Sequence, residues 1–277
     1  MVLRTRLELP EDLFPVDPWG IESRVYTGEF VQEAETIFAL ANGYLGVRGS
    51  HEEGHPAVEA GTYLNGFYEL RPITYGEKAY GFPDTGQTML NCPDGKILKL
   101  YVDDEPFDVD TRETADYRRR LDLAKGLKIR ELTWLHPNGK RIRYRTTRLV
   151  SVTNRHVAAI QVEITVEGDA ASVILASEMG RKAPMTDSQD PEDPRLGTRL
   201  GEQALRPLGA GDGDDRRAVL SFGTQLSGSR MACGMDHTLE CDDPWEVRVE
   251  RGEEGAQAIF RIDAQGDHTI RLTKFLA

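Results

Sequence analysis

Alternation of apolar and polar residues is the dominant pattern along the chain, and it predicts β-strands. In HVAAIQVEITVEG the alternation places Ile160, Val162, Ile164 and Val166 on one face. Segments of this kind, about fourteen in all, recur at hairpin spacing, and no convincing amphipathic helix lies between them. We therefore expect an all-β fold, a large antiparallel β-sandwich that uses residues 1–277 as one domain.

The strongest turn signal lies in ETIFALANGYLGVRG, where the Asn-Gly pair at 42–43 favours a two-residue type I′ hairpin. That turn would pair Leu40 with Leu45 and Phe38 with Val47. All four side chains would then lie on the core face of the hairpin.

One long stretch breaks the strand pattern. Residues 181–215 contain four prolines and end in the run GAGDGDD. Such a composition is typical of an irregular surface loop, which we expect here.

The charge balance of the chain limits its partners. Lys and Arg number 34 against 46 Asp and Glu, which gives a net charge of −12 and a pI of about 5.1. An acidic protein is poorly suited to nucleic acid or to an anionic membrane, so we expect neither as a partner. The first residues, MVLRTRLELPEDL, resemble no export signal, and Cys92, Cys233 and Cys241 have no disulfide-like spacing. These features favour a cytoplasmic protein.

Two groups of arginines on neighbouring strands could be read as an anion site, namely Arg141, Arg143 and Arg145 on one strand and the run Arg118-Arg119-Arg120 on the other. Arg141, Arg143 and Arg145 would all point to the same side of the strand, where Glu131 and other carboxylates can pair with them. A solvated face with ion pairs is therefore the favoured interpretation.

The segment HEEGH fits the H-E-x-x-H pattern, in which two histidines on one helix face bind zinc. Gly54 lies inside the pattern and Pro56 follows His55, and both residues disfavour a helix. Without a helix His51 and His55 do not share a face, so we predict no metal site here.

Aromatic residues concentrate in YLNGFYELRPITYGEKAYGF, residues 63–82, which we expect to be largely loop. Six rings in one glycine-rich connection indicate packing against the rest of the domain, a sugar or another domain. As candidates for a substrate entrance or a domain interface we single out Tyr63, Asn65, Tyr75, Glu77 and Tyr80.

The N-terminal half of the chain resembles the N-terminal region of glycoside hydrolase family 65, which contains the maltose, kojibiose and trehalose phosphorylases and their hydrolytic relatives. The resemblance is carried by ETIFALANGYLGVRGSHEEG, GTYLNGFYEL, ITYGEKAYGF and NCPDGKILKLYVDDEPFD. It is dense from about Glu22 to Thr165 and looser beyond. Within it His51 and His55 merely flank a family loop.

The resemblance implies a galactose-mutarotase-like super-sandwich that precedes an (α/α)6 catalytic barrel. In the family the barrel holds the catalytic acid and the phosphate pocket, so no residue of this chain is assigned as catalytic. The full-length enzyme would convert an α-glucoside disaccharide to β-glucose 1-phosphate with inversion, inorganic phosphate being the co-substrate and no cofactor being needed. Its expected partners are the barrel of the same protein and a second copy in a homodimer.

Two functions therefore stand. The first is a non-catalytic domain that supports the barrel, and the second is an autonomous carbohydrate-binding module. A complete small enzyme has no supporting arrangement of residues in the sequence.

Overall fold

Strands make up nearly all the regular structure in the computed structural model, which describes residues 13–58, 61–73, 75–181, 204–211, 213–214 and 216–277. A 3-10 helix spans Gly28–Phe30, and one α-helix, α1, spans Val31–Ile37. The strands are β1 Val16–Asp17, β2 Gly20–Ser23, β3 Leu40–Ala41, β4 Leu45–Val47, β5 Thr62–Leu64, β6 Tyr68–Pro72, β7 Thr85–Met89, β8 Asp94–Val102, β9 Glu105–Pro106, β10 Thr114–Asp122, β11 Leu127–Leu135, β12 Arg141–Val150, β13 Ala158–Val166, β14 Ala171–Gly180, β15 Leu205–Gly211, β16 Ala218–Thr224, β17 Arg230–Glu240, β18 Trp245–Arg251, β19 Gly255–Ala264 and β20 Thr269–Leu276.

The strands form two large antiparallel sheets and two small ones. The ten-stranded sheet has the order β1-β2-β10-β11-β12-β13-β20-β17-β16-β15, and the five-stranded sheet has the order β18-β19-β14-β8-β9. Strands β3, β4 and β5 form a three-stranded sheet, and β6 pairs with β7.

The two large sheets share one hydrophobic core. Ile142 and Ile164 of the ten-stranded sheet and Leu100, Leu175 and Phe260 of the five-stranded sheet belong to the same buried cluster, and none is more than 1% exposed. Such packing of two inner faces defines a β-sandwich. The predicted all-β, antiparallel sandwich is confirmed.

The outer face of the ten-stranded sheet carries the predicted ion pairs. Arg141 and Arg143 both contact Glu167 at 3.2 Å, and Arg145 contacts Glu131 at 3.1 Å. These arginines are exposed, so each pair contributes at most about 1 kcal/mol. The interpretation of a solvated, ion-paired face is confirmed for these three arginines, whereas Arg119 of the neighbouring run is buried.

The first hairpin has a different register from the predicted one. Leu40 pairs with Val47 rather than with Leu45. The side chain of Asn42 causes the change, because its Oδ1 accepts the backbone N–H groups of Tyr44 and Leu45 at 2.9 and 2.8 Å. This side-chain turn makes the loop longer than two residues. The four side chains predicted for the core are nevertheless all buried.

A short helix precedes this hairpin, so the expectation of no helix was wrong. The sequence VQEAETI of α1 is rich in helix-forming Gln, Glu and Ala. Glu35 on α1 is buried, and its carboxylate accepts the N–H of Val58 at 3.1 Å and contacts Arg48 at 3.7 Å. Within the described residues no helix has the length and apolar character needed to cross a membrane.

The predicted loop 181–215 is corrected in its last part, where β15 pairs with β16 at the edge of the ten-stranded sheet. Proline has no backbone N–H, but an edge strand tolerates Pro207 because some of its N–H groups face solvent rather than a neighbouring strand. The register also shifts between Pro207 and Gly209. Residues 182–203 of the predicted loop lie outside the described residues.

A buried hydrogen bond links the two large sheets. Ser177 of β14 lies 2.7 Å from Nε2 of His237 on β17, and Nδ1 of the same imidazole donates to the carbonyl of Arg216 at 2.6 Å. The Nε2 atom is therefore the acceptor of the Ser177 hydroxyl. Burial lowers the pKa of His237 from 6.5 to about 4, so the folded protein holds this imidazole neutral.

We expect the stability of the chain to fall on acidification because of His237. Below pH 6.5 the unfolded chain binds a proton at this residue, whereas the folded chain does not until about pH 4. In this window the free energy of unfolding should fall by as much as about 1.4 kcal/mol per pH unit from this group alone. Denaturant unfolding from pH 7 to 4.5 should show a shallower pH dependence for His237→Gln than for the wild type. Ser177→Ala, which keeps the imidazole buried, should retain the wild-type slope, and equal slopes for all three proteins would contradict the assignment.

Candidate functional site

Strands β6 and β7 form a β-hairpin with an exposed tip, and we call its described residues, 68–73 and 75–89, the arm. Strands β6 and β7 pair from Tyr68 opposite Met89 to Pro72 opposite Thr85. Residues 76–85 at its tip are all exposed. Most of the described residues between 63 and 82 lie outside strands, as expected, since β5 ends at Leu64 and β6 spans only Tyr68–Pro72.

The tip of the arm has a defined internal structure. The rings of Tyr75 and Phe82 lie 4.9 Å apart across the hairpin, and Lys78 forms an ion pair with Asp84. Tyr80 lies at the turn with its ring fully exposed. The arm thus presents aromatic surface on a folded support.

The base of the arm is attached to the turn between β16 and β17. The carboxylate of Glu69 is buried and accepts the backbone N–H groups of Gln225, Leu226 and Ser227 at 2.6, 3.0 and 2.7 Å. Burial alone would raise the pKa of Glu69, but these N–H donors and that of Leu70 outweigh burial and lower the pKa. A carboxylate that holds three consecutive amides fixes the arm firmly to the large sheet.

Exposed apolar side chains gather around the arm. Tyr80, Phe82 and Met89 belong to it, and Leu226 lies on the turn that Glu69 holds. Phe82, Met89 and Leu226 are each about half exposed. Exposed apolar side chains in such number are typical of a site of interaction.

The five candidate residues fall into two groups. Tyr75, Glu77 and Tyr80 lie at the tip of the arm. Tyr63 lies on β5, where it pairs with Gly46 and is half-buried. Asn65 is exposed and follows β5 directly, and its Nδ2 donates to the carbonyl of Gly43 at 3.1 Å in the turn between β3 and β4. Of the six aromatic rings between residues 63 and 82, only Phe67 belongs to the core.

A second feature, which the sequence analysis missed, is a cluster of buried charges that we call the ion cluster. It lies between the inner face of β10, β11 and β12 and the segment 49–54. Its members are Arg119, Lys128, Arg130 and Arg148 with Glu52 and Glu53, and none is more than 4% exposed.

The carboxylates of the ion cluster are fully engaged. Glu53 accepts two hydrogen bonds from Arg130 at 2.9 and 2.6 Å. Glu52 accepts from Lys128 at 2.8 Å and is paired with Arg148 as well. Burial alone would raise the pKa of Glu52, but Lys128, Arg148 and Arg130 hold it well below its ordinary value.

The alternation in β11 contained the signal for this cluster. Trp134 and Leu132 point inward, so Arg130 and Lys128, two and four residues earlier than Leu132, must point inward too. A buried cation requires a partner. The alternation in β11 therefore predicts that another segment of the chain supplies carboxylates to Arg130 and Lys128.

The two histidines of the H-E-x-x-H segment have different environments. The segment contains no helix, as predicted. His51 is buried with Nε2 3.4 Å from Arg119, whereas His55 is exposed and pairs with Asp108 at 2.9 Å. In the described part of the chain, no group of three His, Cys, Asp or Glu residues is arranged to hold a metal ion.

Comparison with known proteins gives a consistent result. The sequence matches the family described as "Glycosyl hydrolase family 65, N-terminal domain" over residues 21–277. It is 36% identical over 274 residues to an uncharacterized glycosyl hydrolase of Mycobacterium tuberculosis, and the match covers 97% of this chain and 34% of the relative. It is 34% identical over 269 residues to the alpha,alpha-trehalose phosphorylase of Thermoanaerobacter brockii, covering 96% and 34% of the two chains.

A solved structure shares the fold. It is described as "Putative kojibiose phosphorylase from human microbiome" and has a TM-score of 0.80 at 18% identity, over 98% of this chain and 33% of that one. The chain thus spans about a third of the length of the proteins that it matches.

We expect the ion cluster to contribute far more to stability than the outer ion pairs. Arg148→Met leaves Glu52 and the carbonyls of Ser50 and Arg48 without a donor that they have in the wild type. The free energy of unfolding should fall by about 3–5 kcal/mol. Arg145→Met, on the same strand but on the outer face, should lower it by at most about 1 kcal/mol. Denaturant unfolding of both variants provides the measurement, and similar losses would contradict this account.

Proposed function

The chain belongs to glycosyl hydrolase family 65 as an N-terminal domain, and we propose that it is the non-catalytic β-sandwich domain of a disaccharide phosphorylase. The trehalose and kojibiose phosphorylases among its relatives support this reaction class. Its three cysteines are free thiols, which suits action in the cytoplasm.

In this proposal the complete enzyme acts on an α-glucosidic disaccharide. Inorganic phosphate attacks the anomeric carbon while a carboxylic acid protonates the departing oxygen, which gives β-glucose 1-phosphate with inversion. Phosphate takes the place of the water and the base carboxylate of an inverting hydrolase. Both the acid and the phosphate ligands belong to the catalytic barrel, which this domain supports, and the complete enzyme is a homodimer.

The state of the buried carboxylates supports a non-catalytic role. A general acid of this reaction needs a raised pKa. Among the described residues, the buried carboxylates with a resolved pKa shift are Glu22, Glu52 and Glu69, and all three are lowered. Their partners are arginines, a lysine or backbone N–H groups, so these three carboxylates have structural roles.

The arm supports a role at the interface with the catalytic barrel, and its exposed aromatic tip is the observation that carries the proposal. Glu69 holds the arm in place, so the tip can enter an interface without a large loss of conformational entropy. Tyr75, Glu77 and Tyr80 at the tip, with Tyr63 on β5 and Asn65 directly after it, would then lie nearest the substrate entrance.

The exposed ring of Tyr80 also fits the second function, an autonomous carbohydrate-binding module, because sugars bind against exposed aromatic rings. The neighbouring rings of Tyr75 and Phe82 are inclined by 48° to each other and do not form a flat platform. This geometry favours the interface over the module.

Calorimetric titration of the isolated chain with maltose, trehalose and kojibiose should show no binding, because the sugar site requires the barrel. The chain alone should also release no glucose 1-phosphate from these sugars and phosphate. Binding that is lost in Tyr80→Ser would support the module instead.

In the protein that carries this domain together with its barrel, the double variant Tyr80→Ser/Phe82→Ser should lower kcat/KM by about 10- to 100-fold, since a displaced interface misplaces substrate groups. The matched control is Trp19→Ser/Val152→Ser, which changes two exposed residues outside the arm. Equal activity of the two double variants would refute the assignment of the arm.

A further inference from the structure

Arg119 differs from the other cations of the ion cluster because none of the described residues gives it a carboxylate partner. One Nη atom donates to the carbonyl of Gly49, and the other lies 3.4 Å from Nε2 of His51. The guanidinium lies over the ring of Phe38, 4.2 Å from its centroid. Its Nε–H has no hydrogen-bond partner in the described structure, although the residue is only 3% exposed.

His51 supplies a second unpartnered donor. Arginine can only donate, so Nε2 of His51 must be the acceptor in its contact with Arg119. Burial, followed by the nearby Arg130, Arg119 and Lys128, lowers the pKa of His51 well below its ordinary value, so the ring is neutral. The proton of the neutral ring is therefore on Nδ1, which is buried and has no partner among the described residues.

The charges around these two donors do not balance. Among the residues that the structure describes, Arg119, Lys128, Arg130 and Arg148 face two carboxylates, those of Glu52 and Glu53. The nearby Glu35 is already paired with Arg48 and with a backbone N–H. A net positive charge among buried side chains is costly unless an anion compensates for it.

The residues that carry both donors line a cavity. It has a volume of about 30 Å3, and its wall includes His51, Arg119, Ser23, Ser50 and Tyr26. That volume suffices for one particle the size of a water molecule and is too small for a phosphate. Glu35 also contributes to the wall, and its negative charge disfavours a divalent anion.

We propose that this cavity binds one small monovalent anion, such as chloride, between Arg119 and His51. The Nε–H of Arg119 and the Nδ1–H of His51 donate to the anion, and the hydroxyl group of Ser50 can rotate to add a third donor. The anion reduces the excess positive charge of the ion cluster and thereby stabilises the attachment of the segment 49–54 to the large sheet.

Thermal unfolding of the chain at constant ionic strength tests the proposal. Replacing sodium gluconate, whose anion is too large for the cavity, by sodium chloride or bromide should raise Tm by a few degrees and reach saturation. Arg119→Met should lose this response. Arg120→Met changes the neighbouring arginine, which points to the other face of β10 and pairs with Asp17, and should retain it.

Crystals of the wild-type chain in bromide supply a direct measurement that holds even if Arg119→Met does not fold. An anomalous peak between Arg119 and His51 is the expected result. No peak, together with equal Tm values in chloride and gluconate, would mean that neutral water occupies the cavity and would overturn the proposal. A chloride response that does not saturate and persists in Arg119→Met would be general screening and would overturn it equally.

Discussion

The need to neutralise basic side chains on the inner face of the large sheet determines the path of the chain before β5. Lys128, Arg130 and Arg148 point away from water, so acceptors must be brought to them. The segment 49–54 brings the carboxylates of Glu52 and Glu53 and the carbonyl of Ser50. Removing all the partners of one of these charges would leave it buried and uncompensated, which costs about 3–5 kcal/mol.

This requirement divides the inner face of the large sheet into two halves. In one half, cross-strand neighbours such as Trp134 and Ile142 are apolar, and the core that they share with the five-stranded sheet covers them. In the other half, the neighbours Lys128 and Arg148 are basic, and the segment 49–54 covers them. Alternation sets which residues point inward in both halves, but the chemistry of the covering layer differs.

Most of the fold could be predicted from local patterns, since period-two alternation identifies strands and their faces. It gave the strands, the sandwich and the outer ion pairs of Arg141, Arg143 and Arg145. The register at Asn42 was wrong because a side-chain hydrogen bond competed with the two-residue turn. Strand β15 was missed because its proline and glycines resemble a loop until an edge position is known.

The ion cluster could not be predicted in the same way. Its cations and carboxylates are separated by roughly 70 to 100 residues in sequence, and no local pattern joins them. Likewise, the composition of the segment around Tyr75 indicated interaction but not the hairpin that displays it, because the support comes from Glu69 and a turn more than 150 residues later. The resemblance to a known family supplied what physical patterns could not, namely the expectation that this domain precedes a catalytic barrel.

The attachment of the arm by Glu69 has a consequence for how such domains can diverge. The carboxylate recognises main-chain N–H groups, which every residue except proline possesses, so the bond places little demand on the side chains of Gln225 and Leu226. These two positions can therefore change to suit a different neighbour while the arm keeps its orientation. Mutation can therefore change the side chains displayed beside the arm without changing the orientation of the arm.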